Sequence, residues 1–410
     1  MTETTAVTAR PLAEAVESER VRMVVFSDIH ATQSGDPTTN VARSTVGDTK
    51  ANALSAAREL VVDRVGEADV LLCPGDLVHE GKTEPMGWVW EQLHATADAL
   101  SAELVGAVGN HDLLLEPTGG QNAEDALRAL APEFPHPNQE CVMSYWGHDF
   151  AVVETDRWRV ASLNSCSGHG GFDRAEARHG RLKDFCLKKL GEHLEQLGPG
   201  PAVNVCAVHH QPQEWTHRGD KDANHMFEGD LLIEFLDQRP ERWLLVNGHK
   251  HHPALGYVGF GSSGPVWLAA GSIGADLLGD SGVAVRNQLH IVDFHVDAQA
   301  LGLTLAGEVR CFDWEPGYGW TAPGPRSGLP ARAAFGYRRD GIELAVWLSD
   351  IACARRQRRW TWDDIVDLEP RCAYLTPRDR EEFFEGVRRV GGGVQAAPDH
   401  EDFLEVAFTW

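Results

Sequence analysis

The segment VRMVVFSDIH at residues 21–30 joins an apolar run to a carboxylate and an imidazole. The apolar run predicts a buried β-strand that ends at Asp28. Asp28 and His30 flank Ile29, so alternation along an extended chain would place both on the same side. A strand that ends in such groups presents them at the carboxyl edge of a sheet, where open α/β folds bind their ligands.

Four further motifs also supply oxygen or imidazole donors, most of them directly after an apolar run. In chain order they are Gly75-Asp76, Gly109-Asn110-His111-Asp112, His209-His210 and Gly248-His249-Lys250-His251. The glycine before Asp76 allows the backbone to turn sharply there. Imidazole and oxygen donors without thiolate suit Mn, Fe, Zn, Co or Ni better than a structural zinc site. The donors together predict a pocket for two divalent metal ions and hydrolysis of a phosphate ester.

The five motifs, in this order, resemble the calcineurin-like metallophosphoesterase superfamily, whose pattern is D-x-H, G-D, G-N-H-[DE], H and G-H-x-H. The resemblance covers roughly residues 21 to 300. It implies an α/β fold, a layered αββα-type sandwich with mixed central sheets. It also implies a dimetal-dependent hydrolase in which a metal-bridged hydroxide attacks phosphorus in line.

The resemblance assigns roles to individual residues. The metal ligands would be Asp28, His30 and His251 for the first ion, Asn110, His209 and His249 for the second, and Asp76 for both. His111 would stabilise the phosphoryl oxygens or protonate the leaving oxygen, and Asp112 would orient the His111 ring. Manganese is the ion expected to support activity in vitro.

Three polar residues near the motifs have more than one interpretation. His210 would shape the pocket rather than bind metal, because the family uses the histidine that directly follows the strand. His79 could face the site or lie at its rim. Asn164, at the end of an apolar run, could approach the pocket or cap a turn.

The organisation along the chain alternates strands and helices up to about residue 108, which predicts a mainly parallel sheet flanked by helices. Residues 142–154 and 158–163 are predicted to form paired strands, and residues 178–197 a helix. Glycine and proline cluster at 316–330, as in a linker. The predicted division is therefore a flexible leader (1–20), a catalytic domain (21–315), the linker (316–330) and a small α or α+β appendage (331–410).

Composition places the chain among soluble globular proteins, with 410 residues, 42% hydrophobic and 24% charged. No apolar run approaches the roughly 18 residues that span a bilayer, so no membrane is expected. The first 20 residues are polar and acidic, which disfavours a secretory signal. Eight scattered cysteines predict buried free thiols and a cytoplasmic location.

The net charge of −24 disfavours broad binding to nucleic acid. It leaves a phosphorylated small molecule or a nucleotide as the expected substrate, because two dications would reverse the local field. The one dense basic run, residues 355–359, lies in the appendage and is either a solvated helix face or a small phosphate-binding patch. A protein partner could also bind the appendage.

Two alternatives to a phosphodiesterase or nucleotide hydrolase stay open. The motifs are shared with phosphomonoesterases and protein phosphatases, so they do not decide the substrate. A catalytically silent scaffold with the same fold is the alternative from another class. It is disfavoured because all seven metal ligands and His111 are present.

Overall fold

The computed structural model describes residues 20–113, 123–167, 178–217, 220–222, 225–259, 264–275, 286–324, 327–397 and 400–408. The leader predicted for residues 1–20 lies, except for Arg20, outside the described residues. Every helix in the described ranges is too short or too polar to span a lipid bilayer.

The first sheet has seven strands and combines parallel and antiparallel pairs. Its members are β1 (Arg20–Val25), β2 (Val70–Cys73), β3 (Glu103–Gly106), β12 (Gln288–His295), β13 (Gly307–Glu315), β14 (Gly319–Thr321) and β15 (Arg332–Phe335). The order is β14-β13-β12-β1-β2-β3, and β15 also pairs with β13. Strands β1, β2 and β3 run parallel, whereas β12 runs antiparallel to β1.

The second sheet has six strands in the order β10-β11-β9-β6-β5-β4. They are β4 (Phe150–Glu154), β5 (Trp158–Leu163), β6 (Val203–Val208), β9 (Trp243–Asn247), β10 (Ala254–Tyr257) and β11 (Val266–Ala269). Strands β5, β6, β9 and β11 run parallel, and an antiparallel strand closes each edge. A small hairpin joins β7 (Trp215–His217) and β8 (Asp220–Asp222).

Helices connect the strands of both sheets. They are α1 (Ala53–Val65), α2 (Met86–Leu100), α3 (Asn110–Leu113), α4 (Ala123–Arg128), α5 (Gln139–His148), α6 (Asp184–Leu197) and α7 (Gly229–Asp237). One apolar core contains side chains of both sheets together with α1 and α2, and a second lies between the second sheet and helices α6 and α7. The expected αββα sandwich with mixed sheets is confirmed.

The C-terminal appendage is α+β. It contains α8 (Gly341–Arg355), β16 (Arg359–Thr361), α9 (Trp362–Leu368), α10 (Pro377–Arg389), β17 (Gly392–Ala397) and β18 (His400–Phe408). Its apolar core also includes Ala298, Leu303 and Ala306, which precede β13. Strands β14 and β15 lie within and just after the predicted linker and join the first sheet. The domain boundaries themselves stay a prediction.

Some local predictions differ from the structure. The segment predicted as a strand from residue 142 is α5 up to His148, and only Phe150–Glu154 is extended. Asn138 caps α5 by accepting from the amides of Glu140 and Cys141, and the buried residues Cys141 and Tyr145 have helical spacing. Helix α6 begins at Asp184 rather than 178. Seven cysteines are buried, as expected, but Cys353 is exposed.

Candidate metal centre

Five of the seven predicted metal ligands lie on left-handed loop residues rather than on the strands themselves. Strand β1 ends at Val25, and the φ angles of Asp28 and His30 are 52° and 47°. The explanation from strand alternation is therefore wrong, although the two side chains do converge. Asp76, His249 and His251 also have positive φ, so half of the ten described non-glycine residues of this kind are predicted ligands. Such backbone is unfavourable for these residues and is typically found at functional sites.

The loops hold one another through backbone hydrogen bonds. The amide of Asp28 donates to the carbonyl of Gly75 (3.1 Å), and the amide of His30 donates to the carbonyl of Asp76 (3.0 Å). The amide of His249 donates to Asp28 Oδ1 (2.9 Å). Three motifs that are distant in sequence are thus fixed against each other before any ion is considered.

A first group of donors contains Asp28, His30, Asp76 and His251, all buried, with ligand atoms within 4.8 Å of one another. His251 Nε2 lies 3.2 Å from Asp28 Oδ1 and 3.2 Å from His30 Nε2. His30 Nε2 lies 3.4 Å from Asp76 Oδ2. This is the set that the resemblance assigns to the first ion, with the shared aspartate.

A second group forms around the side-chain oxygen of Asn110. Asn110 Oδ1 lies 3.0 Å from His209 Nε2 and 2.8 Å from His249 Nδ1. His209 Nε2 is also 3.4 Å from Asp76 Oδ2. Asp76 Oδ2 therefore faces a histidine nitrogen of each group.

Two histidines each contact a backbone carbonyl through one ring nitrogen, which leaves the other ring nitrogen facing the donor atoms of the two groups. His209 Nδ1 lies 2.9 Å from the carbonyl of Pro74, and His249 Nε2 lies 2.8 Å from the carbonyl of Arg178. Because a carbonyl can only accept, these nitrogens carry the protons, and in a neutral ring the other nitrogen is a lone-pair donor. Asp76 Oδ2 and His30 Nδ1 are buried without a hydrogen-bond partner. Asp76 Oδ2 lies between His30 Nε2 and His209 Nε2, and donor atoms that face one another in this way can bind a cation between them.

The pKa shifts are consistent with a site built for positive charge. Burial would raise the pKa of Asp76, but the neighbouring His209 and His111 hold it well below its ordinary value. Burial disfavours charge on His209, yet the Asp76 carboxylate and its hydrogen bond raise the pKa of His209 to about 9. Burial lowers the pKa of His30 and His249. An ionised Asp76 beside neutral His30 and His249 is the protonation state that metal ions require, whereas His209 would release its proton when an ion binds.

Glycines at two motif positions allow the close approach of the loops. Gly75 has a φ of 106°, and a Cβ there would lie 2.4 Å from His209 Nδ1. A Cβ on Gly109 would lie 2.1 Å from Asp76 Oδ1 and 2.2 Å from the Asp76 amide nitrogen. A side chain at either position would displace a predicted ligand.

His111 lies beside the first group, as expected, but Asp112 does not contact its ring through any hydrogen bond among the described residues. Asp112 Oδ2 accepts from the amides of Asp76 (3.0 Å) and Gly109 (2.9 Å), and Oδ1 accepts from the amide of Val78 (3.1 Å). The expectation that Asp112 orients His111 is corrected, because its carboxylate is occupied by three backbone donors. Burial, followed by the charge of Asp76, raises the pKa of Asp112 to about 7.

His79 belongs to the site and was absent from the predicted set. Its ring stacks on His111 with centroids 5.5 Å apart, and the ligand atoms of His30, His79 and His111 lie within 4.8 Å of one another. Its position three residues after Asp76 was the only sequence signal. His210 contacts Ser165 Oγ (2.8 Å) and lies against the His249 ring. Asn164 accepts from the amide of Cys166, as a turn-capping residue does.

Comparison with known proteins gives one family match. The model for calcineurin-like phosphoesterases matches residues 21–253. No curated protein matches the sequence.

Several solved structures have a similar fold at low identity. A dimetal phosphatase from Danio rerio is 11% identical (66% of this chain, 92% of that chain, TM-score 0.44). A purple acid phosphatase from yellow lupin (Lupinus luteus) seeds is 14% identical (72% and 52%, TM-score 0.43). A putative 5'-nucleotidase from Staphylococcus aureus is 14% identical (67% and 51%, TM-score 0.40). The chain spans about half the length of the last two proteins.

Proposed function

Because this chain belongs to the calcineurin-like phosphoesterase family, a family of metal-dependent phosphate ester hydrolases, we propose that it holds two divalent ions and hydrolyses phosphodiesters or nucleotides. The observation that carries the proposal is the position of Asp76 Oδ2, which lies 3.4 Å from His30 Nε2 and 3.4 Å from His209 Nε2. One carboxylate oxygen between two histidine groups is suited to bridge two ions.

The proposed ligand sets follow from the two groups of donors. Asp28, His30 and His251 would hold the first ion, Asn110, His209 and His249 the second, and Asp76 both. When bound, the ions would supply Lewis acidity and positive charge at a phosphoryl oxygen. Nitrogen and oxygen donors are compatible with Mn, Fe, Zn, Co or Ni, and Mn is the ion proposed for reconstitution.

His111 is proposed to act on the substrate rather than on a metal ion. The amide of Glu80 lies 3.4 Å from His111 Nδ1 and points its hydrogen at it, so that the ring proton of the neutral tautomer resides on Nε2. A proton at Nε2 could be donated to a phosphoryl oxygen or to the leaving oxygen. Asp112 would support this step indirectly, because it fixes the amides of Asp76 and Gly109.

The preference for phosphodiesters, cyclic nucleotides among them, over monoesters rests on charge. The net charge of −24 opposes extended polyanions. Beside the first group, His79 and His111 present imidazoles, and burial lowers the pKa of His79, which keeps that ring neutral. A neutral donor suits the single charge of a diester better than the double charge of a monoester.

The test compares metal content and turnover in one preparation. After chelation and reconstitution with Mn, elemental analysis should find about two ions per chain, and bis-p-nitrophenyl phosphate should be cleaved with a higher kcat/KM than p-nitrophenyl phosphate. Asp76→Ala should abolish both binding and turnover, whereas the control Asp63→Ala, on the exposed face of α1, should change neither.

Two results would contradict different parts of the proposal. Less than one ion per chain in the wild type would refute the metal centre and favour the scaffold alternative. If the wild type binds two ions per chain but cleaves the monoester faster, the metal centre is supported and the proposed diester substrate is contradicted.

A further inference from the structure

A cavity of about 270 Å³ lies where the appendage meets the second sheet, among residues that precede β9, the segment before β13 and the loop after β15. Its charged and aromatic lining residues are Arg242, Arg338, Arg371, Trp243, Tyr257 and Tyr337. No proposed metal ligand lines it. Trp243 begins β9 and His249 follows the end of that strand, so the cavity is roughly 16 Å from the metal centre along the strand.

The charge of this cavity is positive in a strongly acidic protein. Three arginines reach it from three separate segments of the chain, and the described residues that line it include no aspartate or glutamate. Arg371 already donates from Nε and Nη2 to the Glu369 carboxylate at 2.8 and 2.6 Å, and Arg242 lies 3.8 Å from Asp237. Arg338 has no described carboxylate within ion-pair distance, although its charge acts at longer range on Asp379.

Aromatic rings hold two of the three guanidinium groups in place. Arg338 lies 5.0 Å from the centre of the Tyr257 ring, and Arg371 lies 4.9 Å from that of Tyr337. Tyr257 is in turn fixed by its hydroxyl, which accepts from the amide of Gly336 (3.1 Å). A stacked guanidinium loses little freedom on binding and offers its N–H edge to an anion.

We propose that this cavity is a second binding site, separate from the metal centre, for a small molecule that carries a phosphate group. Guanidinium groups bind phosphate oxygens through paired, charge-assisted hydrogen bonds. Arg242 and Arg371 are already paired with Asp237 and Glu369, so the positive charge that remains for an anion is that of Arg338, which has no described carboxylate within ion-pair distance. Arg242 and Arg371 are partly exposed, so a ligand can enter from solvent.

The test measures binding of inorganic phosphate and of adenosine 5'-phosphate to the full-length, Mn-loaded protein by calorimetry. The wild type should show two classes of site for at least one probe. Arg338→Ala and Arg338→Gln should weaken one class by about tenfold or more, the usual effect of losing a hydrogen bond between charged groups. Arg339→Ala is the matched control, because Arg339 is adjacent, stacks on Trp347 and does not line the cavity.

The outcomes separate this inference from the proposed function. Loss of the second class with phosphate identifies a free phosphate site, and loss with the nucleotide alone identifies an organic phosphate. Binding that is unchanged in both Arg338 variants, whether the wild type shows one class of site or two, overturns the inference. A single class that both Arg338 variants weaken supports the inference and argues against phosphate binding at the metal centre. Turnover of bis-p-nitrophenyl phosphate should be the same in Arg338→Gln as in the wild type, and binding can be measured even if that ester is not hydrolysed.

Discussion

Adding one methyl group at Gly109 should disable the metal centre without replacing a metal ligand. In Gly109→Ala, the new Cβ would lie 2.1 Å from Asp76 Oδ1 and 2.2 Å from the Asp76 amide nitrogen. Ordinary contact between such atoms is about 3.5 Å, so Asp76 would have to move by roughly 1 Å. The movement is opposed, because Asp76 Oδ1 accepts from the His111 amide (2.8 Å) and the Asp76 amide donates to Asp112 (3.0 Å).

The magnitude follows from what such a shift does to packing and to metal geometry. Overpacking a buried site costs about 1–3 kcal/mol of stability. Metal–ligand distances tolerate only about 0.2 Å, so the affinity for metal should fall by at least the roughly 10- to 100-fold that follows when a ligand's supporting contacts are lost. Gly147→Ala is the control: Gly147 lies in α5, where a Cβ would meet nothing within 4 Å.

The assay measures the melting temperature, the ions per chain after reconstitution with Mn and the turnover of bis-p-nitrophenyl phosphate in both variants. Gly109→Ala should lose metal and turnover, and Gly147→Ala should keep both. Two ions per chain and wild-type turnover in Gly109→Ala would refute the argument that the loop containing Asp76 must contact Gly109 closely.

Three further variants test separate parts of the structure. His111→Ala should keep its metal and lose turnover by about 10²- to 10⁴-fold; equal loss of metal and turnover would show that His111 supports the ions. Asp112→Asn places an NH₂ group against backbone donors and should lower the melting temperature, since a buried donor left without an acceptor costs about 1–3 kcal/mol; an unchanged melting temperature would argue against this bracing role. Burial lowers the pKa of His290 to about 3, so between pH 6.5 and pH 3 the unfolded chain binds a proton that the folded chain does not, and stability falls with falling pH. His290→Gln should reduce that slope by about 1.4 kcal/mol per pH unit in urea unfolding, and an identical slope would disprove the assignment.

The sequence alone predicted the family and the layered fold, and both are confirmed. The reason is that each donor motif is short, local and tied to the end of an apolar run. Two helices of the appendage begin at residues that cap them locally, because Thr361 accepts from the Asp364 amide and Thr376 from the Asp379 amide.

Local signals were misleading where two interpretations share the same residues. Cys141, Val142, Met143 and Tyr145 are compatible with a strand, but the cap at Asn138 and the packing of Cys141 and Tyr145 select helix α5. The run of glycine and proline near residue 320 contains β14, which pairs with β13, and the linker there stays a prediction. In both cases contacts outside the segment decide its conformation.

The sequence by itself determined which residue types are delivered to the sheet edge, because the order and spacing of the motifs are properties of the chain. Only the tertiary structure decided how they meet. His30 and His209 lie far apart in sequence, and the order of strands brings both to 3.4 Å from Asp76 Oδ2. The left-handed backbone at Asp28 and the partners of Asp112 are likewise set by hydrogen bonds to loops from other strands. Contacts of this kind join residues of large sequence separation, and no spacing within a motif encodes them.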